Sequence, residues 1–242
     1  MNKQASEHWS RVSSNPISSE AMNHVKAQLS QLYFGPYPGL EQFIDAYIKG
    51  KKVLDIGVVE HDLSFADRPT WKHGVLRASA SSIVGIDVLP AAVDVLSQRG
   101  FDVRLCDATS DADLGERFDV AYIGDVIEHA NDPVRMLKFA ARHVHAGKYI
   151  IVTTPCPFWW RNILLMIKDH TYIGNVDHVS WITPVNALEL GSRAGILLDH
   201  YYTLETYGHT FPRKVLKRLL DASIGKSEIF TWAYAYVFKV CD

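Results

Sequence analysis

The chain has 242 residues, 48% of them apolar, enough to bury one large α/β core in a single domain. A formal charge of −2 excludes a surface dominated by phosphate-backbone binding, so nucleic acid is not the favoured partner. Three cysteines, Cys106, Cys156 and Cys241, with no Cys-x-x-Cys spacing exclude a disulfide framework and a zinc site of the usual kind, and point to a reducing, cytoplasmic setting.

In chain order, residues 1–50 read as a helical cap or lid and 51–242 as the main domain, the whole forming one compact unit. Ser18 can cap a helix whose apolar stripe is Met22, Val25, Leu29 and Leu32. The run Tyr33-Phe34-Gly35-Pro36-Tyr37-Pro38-Gly39 reads as a rigid aromatic turn. Leu40, Phe43, Ile44, Tyr47 and Ile48 then recur at helical spacing up to Gly50. Lys52-Val53-Leu54-Asp55-Ile56-Gly57 is an apolar run that stops at a glycine, as a buried parallel strand ending in a ligand loop does. A helix over about Trp71–Ala80 leads to a second run, Ile83-Val84-Gly85-Ile86, which ends on Asp87. A carboxylate at that strand end suits the two hydroxyls of a ribose.

A helix from Pro90 to Gly100 follows, then the strand Val103–Cys106 ending at Asp107-Ala108, and the strand Phe118–Gly124 running into Asp125. Asn131-Asp132-Pro133 caps a helix with the inner stripe Val134, Leu137, Ala141 and Val144. Tyr149–Val152 is a further strand, and Thr183-Pro184 opens a helix closed by Gly195. Ile196–Leu204 and Thr231–Val240 complete seven strands, the last alternating Trp232, Tyr234, Tyr236 and Phe238 with smaller residues as an antiparallel strand does. This alternation predicts an α/β fold with a doubly wound, mainly parallel seven-stranded sheet whose last strand is antiparallel. Arg213, Lys214, Lys217 and Arg218 fall on one side of a late helix, a face that is ordinarily solvated. The longest apolar window, Phe158 to Ile167, is short and contains Arg161, so no transmembrane segment is expected.

Val-Leu-Asp-Ile-Gly at residues 53–57, followed by a strand ending in Asp87, resembles the class I S-adenosylmethionine-dependent methyltransferases. The resemblance runs through residue 205 and implies a Rossmann-like methyltransferase fold with S-adenosyl-L-methionine as cofactor. By position it implies cofactor contacts from Asp55, Gly57, Val58, Val59, Asp87, Val88, Asp107, Ala108, Gly124 and Asp125. The acid at Asp107 would receive the adenine amine and the Ala108 amide a ring nitrogen. Of the family pattern Asp-x-Gly-x-Gly-x-Gly only Asp55 and Gly57 remain, because Val58, Val59, Glu60 and His61 follow. The same loop disfavours a nicotinamide dehydrogenase, which needs glycines to bring a pyrophosphate to a helix N-terminus. In such methyltransferases the segment before the first strand often covers cofactor or substrate, which makes Tyr37 a substrate candidate beside the plainer reading of packing.

Asp125-x-x-Glu128-His129 would place two carboxylates and an imidazole on one face of a helical turn. In many class I methyltransferases a similar Ile-Glu-His stretch lies beside the cofactor without metal. That is the favoured reading, with His129, His178 and Glu128 as the catalytic group. The alternative, drawn from ubiquinone-biosynthesis and small-RNA methyltransferases, is a divalent metal on Asp125, Glu128, His129 and His178. Asp177 stands next to His178 and could orient it, and Trp159, Trp160 and Arg161 could form the opposite wall of an acceptor pocket. The resemblance implies transfer of a methyl group to a small molecule or a sugar hydroxyl in glycan biosynthesis. A catalytically silent scaffold and an RNA-directed 2′-O-methyltransferase stand as alternatives, and the oligomeric state is left open.

Overall fold

In a computed structural model, described over residues 12, 15–37, 40–60, 62–171, 174–205 and 228–241, the strands are β1 (Tyr33–Tyr37), β2 (Lys52–Ile56), β3 (Ser82–Asp87), β4 (Val103–Leu105), β5 (Phe118–Gly124), β6 (Val144–Pro155), β7 (Leu197–Glu205) and β8 (Thr231–Lys239). They form one eight-stranded sheet in the order β1-β7-β8-β6-β5-β2-β3-β4. Every pairing is parallel except those of β8, which runs antiparallel to both β6 and β7. Seven of these strands are the expected ones.

The eighth, β1, corrects the expected aromatic turn. Tyr33–Tyr37 pairs with β7, with a register irregularity between Tyr33 and Gly35 where Gly35 takes a φ of +109°. Pro36 lacks an amide donor and is tolerated because β1 is the outermost strand, so no second ladder needs it. The stretch 33–37 is therefore part of the sheet, not of a helical cap. The expected basic helix of Arg213, Lys214, Lys217 and Arg218 lies outside the described residues.

The helices are α1 (Ser19–Leu32), α2 (Leu40–Ile48), α3 (Lys72–Ser79), α4 (Pro90–Gln98), α5 (Pro133–His143), α6 (Trp160–Asp169) and α7 (Pro184–Ala194). Their ends follow local chemistry. Ser18 accepts a hydrogen bond from the Ala21 amide, Asp132 accepts one from Arg135, and Thr183 with Asn186 forms a reciprocal capping box. The buried stripe of α5 is Met136, Leu137, Phe139, Ala140 and His143, which shares Leu137 with the expected stripe, and Val144 belongs to β6.

Both faces of the sheet are covered, so the central strands carry near-continuous apolar runs. On one face Leu54, Ile56, Ala121, Ile123, Tyr234 and Tyr236 share a core with Leu137 and Ala140 of α5 and Ala187 of α7. On the other, Val53, Val120, Tyr122, Ala235 and Val237 meet Phe43 and Ile48 of α2 and Leu76 of α3. From β2 the chain moves outward through β3 to β4, then returns to β5 on the other side of β2. That reversal leaves a crevice beyond the carboxyl ends of β2 and β5, where open α/β sheets bind ligands. Among the described residues no helix is long and apolar enough to cross a membrane.

Candidate active site

A cavity of about 810 Å³ opens in that crevice, lined from the ends of β2 to β5 and by the 175–178 segment, Pro155 and Trp232. The strand-end carboxylates are fixed by backbone amides. Asp87 Oδ2 accepts from the Val59 amide at 2.9 Å and Oδ1 from the Leu89 amide at 3.1 Å, which aims a buried carboxylate at the cavity with a further lone pair on each oxygen. Asp107 Oδ1 accepts from both the amide and the hydroxyl of Thr109, each at 2.7 Å, so this acid starts a turn and also lines the cavity. Gly57 bends the chain away from β2 with a φ of +82°. A Cβ there would lie 2.3 Å from Val126 Cγ2, so only glycine lets this loop pass the turn after β5.

The β5 end carries most of the charge. Asp125 holds a left-handed φ of +54°, uncommon outside glycine, with its amide bonded to the Thr153 carbonyl and its carboxylate paired with Lys72. Burial works to lower the Lys72 pKa, but the Asp125 carboxylate, with smaller help from Tyr122 and Glu60, outweighs it and holds the ammonium above its ordinary range. Glu128 is fully buried. Its Oε2 accepts from the Thr154 hydroxyl at 3.0 Å, and its backbone carbonyl accepts from the amides of Val179 and Ser180. Burial, with the Asp125 charge adding to it, pushes the Glu128 carboxyl up to about 8, so at neutral pH it carries its proton.

Those two amide contacts dock the 175–181 segment over the cavity. His129 Nδ1 lies 3.0 Å from Asp177 Oδ2, the His129 and His178 rings meet edge to face at 4.6 Å, and His178 Nε2 lies 4.0 Å from Glu128 Oε1. Adjacency in sequence therefore misleads: Asp177 serves His129, not its neighbour His178. A carboxylate against Nδ1 favours the tautomer with the proton there and leaves Nε2 as the basic nitrogen.

Of the candidate residues, Gly57, Val59, Asp87, Val88, Asp107, Ala108, Gly124, Asp125, Glu128, His129, Asp177 and His178 all line this one cavity. The others do not. Asp55 is 3% exposed and its Oδ2 lies 2.8 Å from His73 Nδ1, so it anchors α3 from within the core. Val58 turns into an apolar cluster with Val93 and Val103, and its carbonyl accepts the Trp71 indole N–H. Tyr37 lies against Phe43 and Tyr202 at the far edge of the sheet. Trp159 caps α6 and Trp160 and Arg161 open it, with the Arg161 guanidinium 5.7 Å from the Trp159 ring, and none of the three lines the cavity. Asp125, counted as an alternative metal ligand, is occupied by Lys72.

Sequence reasoning missed Lys72, Glu60, Asn175 and Trp232, which also line the cavity. The first had a signal: it opens the helix after the first βα loop, where the switch-point crevice begins.

A family model described as a methyltransferase domain matches residues 36–223. Among curated proteins, a ubiquinone biosynthesis O-methyltransferase of Coxiella burnetii is 28% identical over 178 residues, covering 65% of this chain and 70% of the relative. One of the same name from Aeromonas salmonicida is 24% identical over 166 residues, covering 62% of this chain and 64% of the relative. Among solved structures, a SAM dependent methyltransferase from Archaeoglobus fulgidus superposes with a TM-score of 0.56 at 16% identity, over 83% of this chain and 95% of the other. An S-adenosylmethionine dependent methyltransferase from Mesorhizobium loti gives 0.50 at 12% identity, over 82% of this chain and 95% of the other. At such identities the structural likeness is one of fold.

Proposed function

The chain belongs to the class I S-adenosylmethionine-dependent methyltransferases, and on that premise we propose that it methylates a hydroxyl of a small molecule other than a sugar, with His129 as general base. The observation that carries this is the His129–Asp177 contact on the same cavity wall as Asp87 and Asp107. S-adenosyl-L-methionine would supply an electrophilic methyl group to the acceptor oxygen, its sulfur keeping the electron pair of the bond given up. The side chains have little covalent work beyond alignment and proton removal. Asp87 and Asp107 would hold the nucleoside part. His129 Nε2 takes the proton of the acceptor hydroxyl, and Asp177 stabilises the imidazolium that results. Glu128 positions this pair through the Val179 and Ser180 amides.

Two facts support an oxygen acceptor of small size. The curated relatives carry the name O-methyltransferase, and the aromatic residues expected to stack on a glycan, Trp159 and Trp160, lie off the cavity wall. The test is calorimetry with S-adenosylhomocysteine, followed by transfer of labelled methyl to hydroxybenzoates, catechols and sugar nucleotides. Asp87→Ala is expected to weaken S-adenosylhomocysteine about 10- to 100-fold through loss of charge-assisted hydroxyl contacts. Methylation of the sugar nucleotides alone would overturn the acceptor assignment.

A second reading rests on donor geometry. Glu128, His129 and His178 each offer one ligand atom within 4.8 Å of the others, and Glu128 Oε1 has no hydrogen-bond partner. A divalent ion held by these three would acidify the acceptor hydroxyl as a Lewis acid. Glu128→Gln separates the readings. Without metal chemistry the wild-type carboxyl is already protonated at neutral pH, so the amide is close to isosteric, and turnover should stay within about threefold, with chelator having little effect. A loss of about 100-fold or more, matched by chelator, would establish the metal reading.

The same variant reports the buried proton. A carboxyl whose folded pKa is raised from 4.5 to about 8 keeps its proton while the unfolded chain releases it, so stability falls as pH rises through that window. In chelator-treated protein, Glu128→Gln should flatten this fall in thermal melts between pH 5 and 8.

A further inference from the structure

The loop after β2 lacks the glycines that let a methyltransferase offer backbone amides to the amino-acid end of its cofactor, and side chains occupy that place instead. Glu60 Oε1 accepts from the Lys72 amide at 3.1 Å, which seats Glu60 on the first turn of α3. The Lys72 ammonium crosses to Asp125 at the end of β5. All three residues line the cavity, and the Lys72 and Asp125 side chains remain 24% and 33% exposed, so the pair is open to a ligand. An ammonium has three donors, and Asp125 uses one of them.

The order of strands fixes which part of a ligand they meet. Asp87 ends β3, Asp107 follows β4, and β2 and β5 lie on the other side of β3. A nucleoside with its hydroxyls at Asp87 and its base beside Asp107 must extend its remaining substituent over β2 and β5. There Lys72 stands between two carboxylates, Glu60 and Asp125. The amino-acid end of S-adenosylmethionine carries one carboxylate and one ammonium, and a cation flanked by anions is its charge complement.

Building on the methyltransferase reading, we propose that Lys72 binds the cofactor carboxylate while Asp125 and Glu60 receive its ammonium, a side-chain clamp in place of the glycine loop. The clamp discriminates zwitterionic ligands from nucleosides that lack the amino-acid tail. The left-handed backbone of Asp125, held by the Thr153 carbonyl, presents its carboxylate to Lys72.

The test compares two ligands by calorimetry: S-adenosylhomocysteine, and 5′-methylthioadenosine, which keeps the nucleoside and sulfur but has no amino-acid end. Lys72→Met should weaken S-adenosylhomocysteine about 10- to 100-fold and leave 5′-methylthioadenosine within about threefold, while Lys72→Arg should retain most of the affinity for both. Because the second ligand reports an intact nucleoside site in the same variant, misfolding cannot imitate this pattern. Equal weakening of both ligands, or unchanged S-adenosylhomocysteine affinity, would overturn the clamp alone. No binding of S-adenosylhomocysteine by the wild type at millimolar concentration would overturn the cofactor assignment and the clamp with it.

Discussion

His129→Ala is expected to lower turnover by about 10²- to 10⁴-fold, the range a positioned general base contributes. On the cavity wall the Asp177 carboxylate lies 3.0 Å from His129 Nδ1. His178 faces buried Glu128 at 4.0 Å instead. His178→Ala should therefore cost less, and Asp177→Asn should produce an intermediate loss by weakening the bias toward the Nε2 base. Single-turnover rates at saturating cofactor, with S-adenosylhomocysteine affinity measured in parallel, separate chemistry from binding. His129 lines the cavity and its loss should also disturb cofactor affinity modestly, whereas the Asp177 variant should leave it nearly unchanged. A His129→Ala enzyme within about threefold of wild type would remove this residue from the mechanism.

The largest loss of stability should come from His73→Ala, at about 3 to 5 kcal/mol, because it strands a buried carboxylate. Asp55 and His73 are 3% and 1% exposed, and their contact at 2.8 Å joins β2 to α3 in the core. Asp55→Asn keeps an acceptor for the imidazole and removes the charge, so it should cost markedly less. Urea unfolding reads the difference as a shift of the midpoint at constant slope. If His73→Ala shifted stability by under 1 kcal/mol, the contact between Asp55 and His73 would not be what ties α3 to the core.

The contrast between Asp87 and Asp55 shows what a linear sequence reveals. Asp87, Asp107 and Asp125 were legible because each stands at or just past the carboxyl end of a parallel strand, a local pattern, and such strand ends converge on one crevice. Asp55 sits inside its strand, and whether it turns toward ligand or helix depends on His73, 18 positions later in the chain, which no periodicity announces. The same limit explains Asp177, whose partner was set by a loop docking on the Glu128 carbonyl, not by the neighbouring histidine. The Tyr33–Tyr37 strand was hidden for a different reason. Gly35 and Pro36 are turn formers by local propensity, and pairing with β7 overrides them only because an edge strand has one ladder to satisfy. Trp159, Trp160 and Arg161 were assigned to a wall by their aromatic and cationic character, but they form the cap and first turn of α6 and do not line the cavity, a placement that residue type alone does not announce.

The position of β8 sets the timetable by which the molecule can be made. It is the seam between two pieces of sheet, β1-β7 on one side and β6-β5-β2-β3-β4 on the other, yet it is the last of these eight strands in chain order. A nascent chain that has not yet delivered Thr231–Lys239 must hold the edges of both β6 and β7 unpaired, each rich in buried positions in the finished protein. The strands that carry Asp87 and Asp107 emerge early, whereas Trp232, on the cavity wall beside Pro155, arrives with the seam. Completion of the cavity wall is thus a late, non-local event. The interval before it is when exposed edges invite aggregation and when chaperones have most to protect.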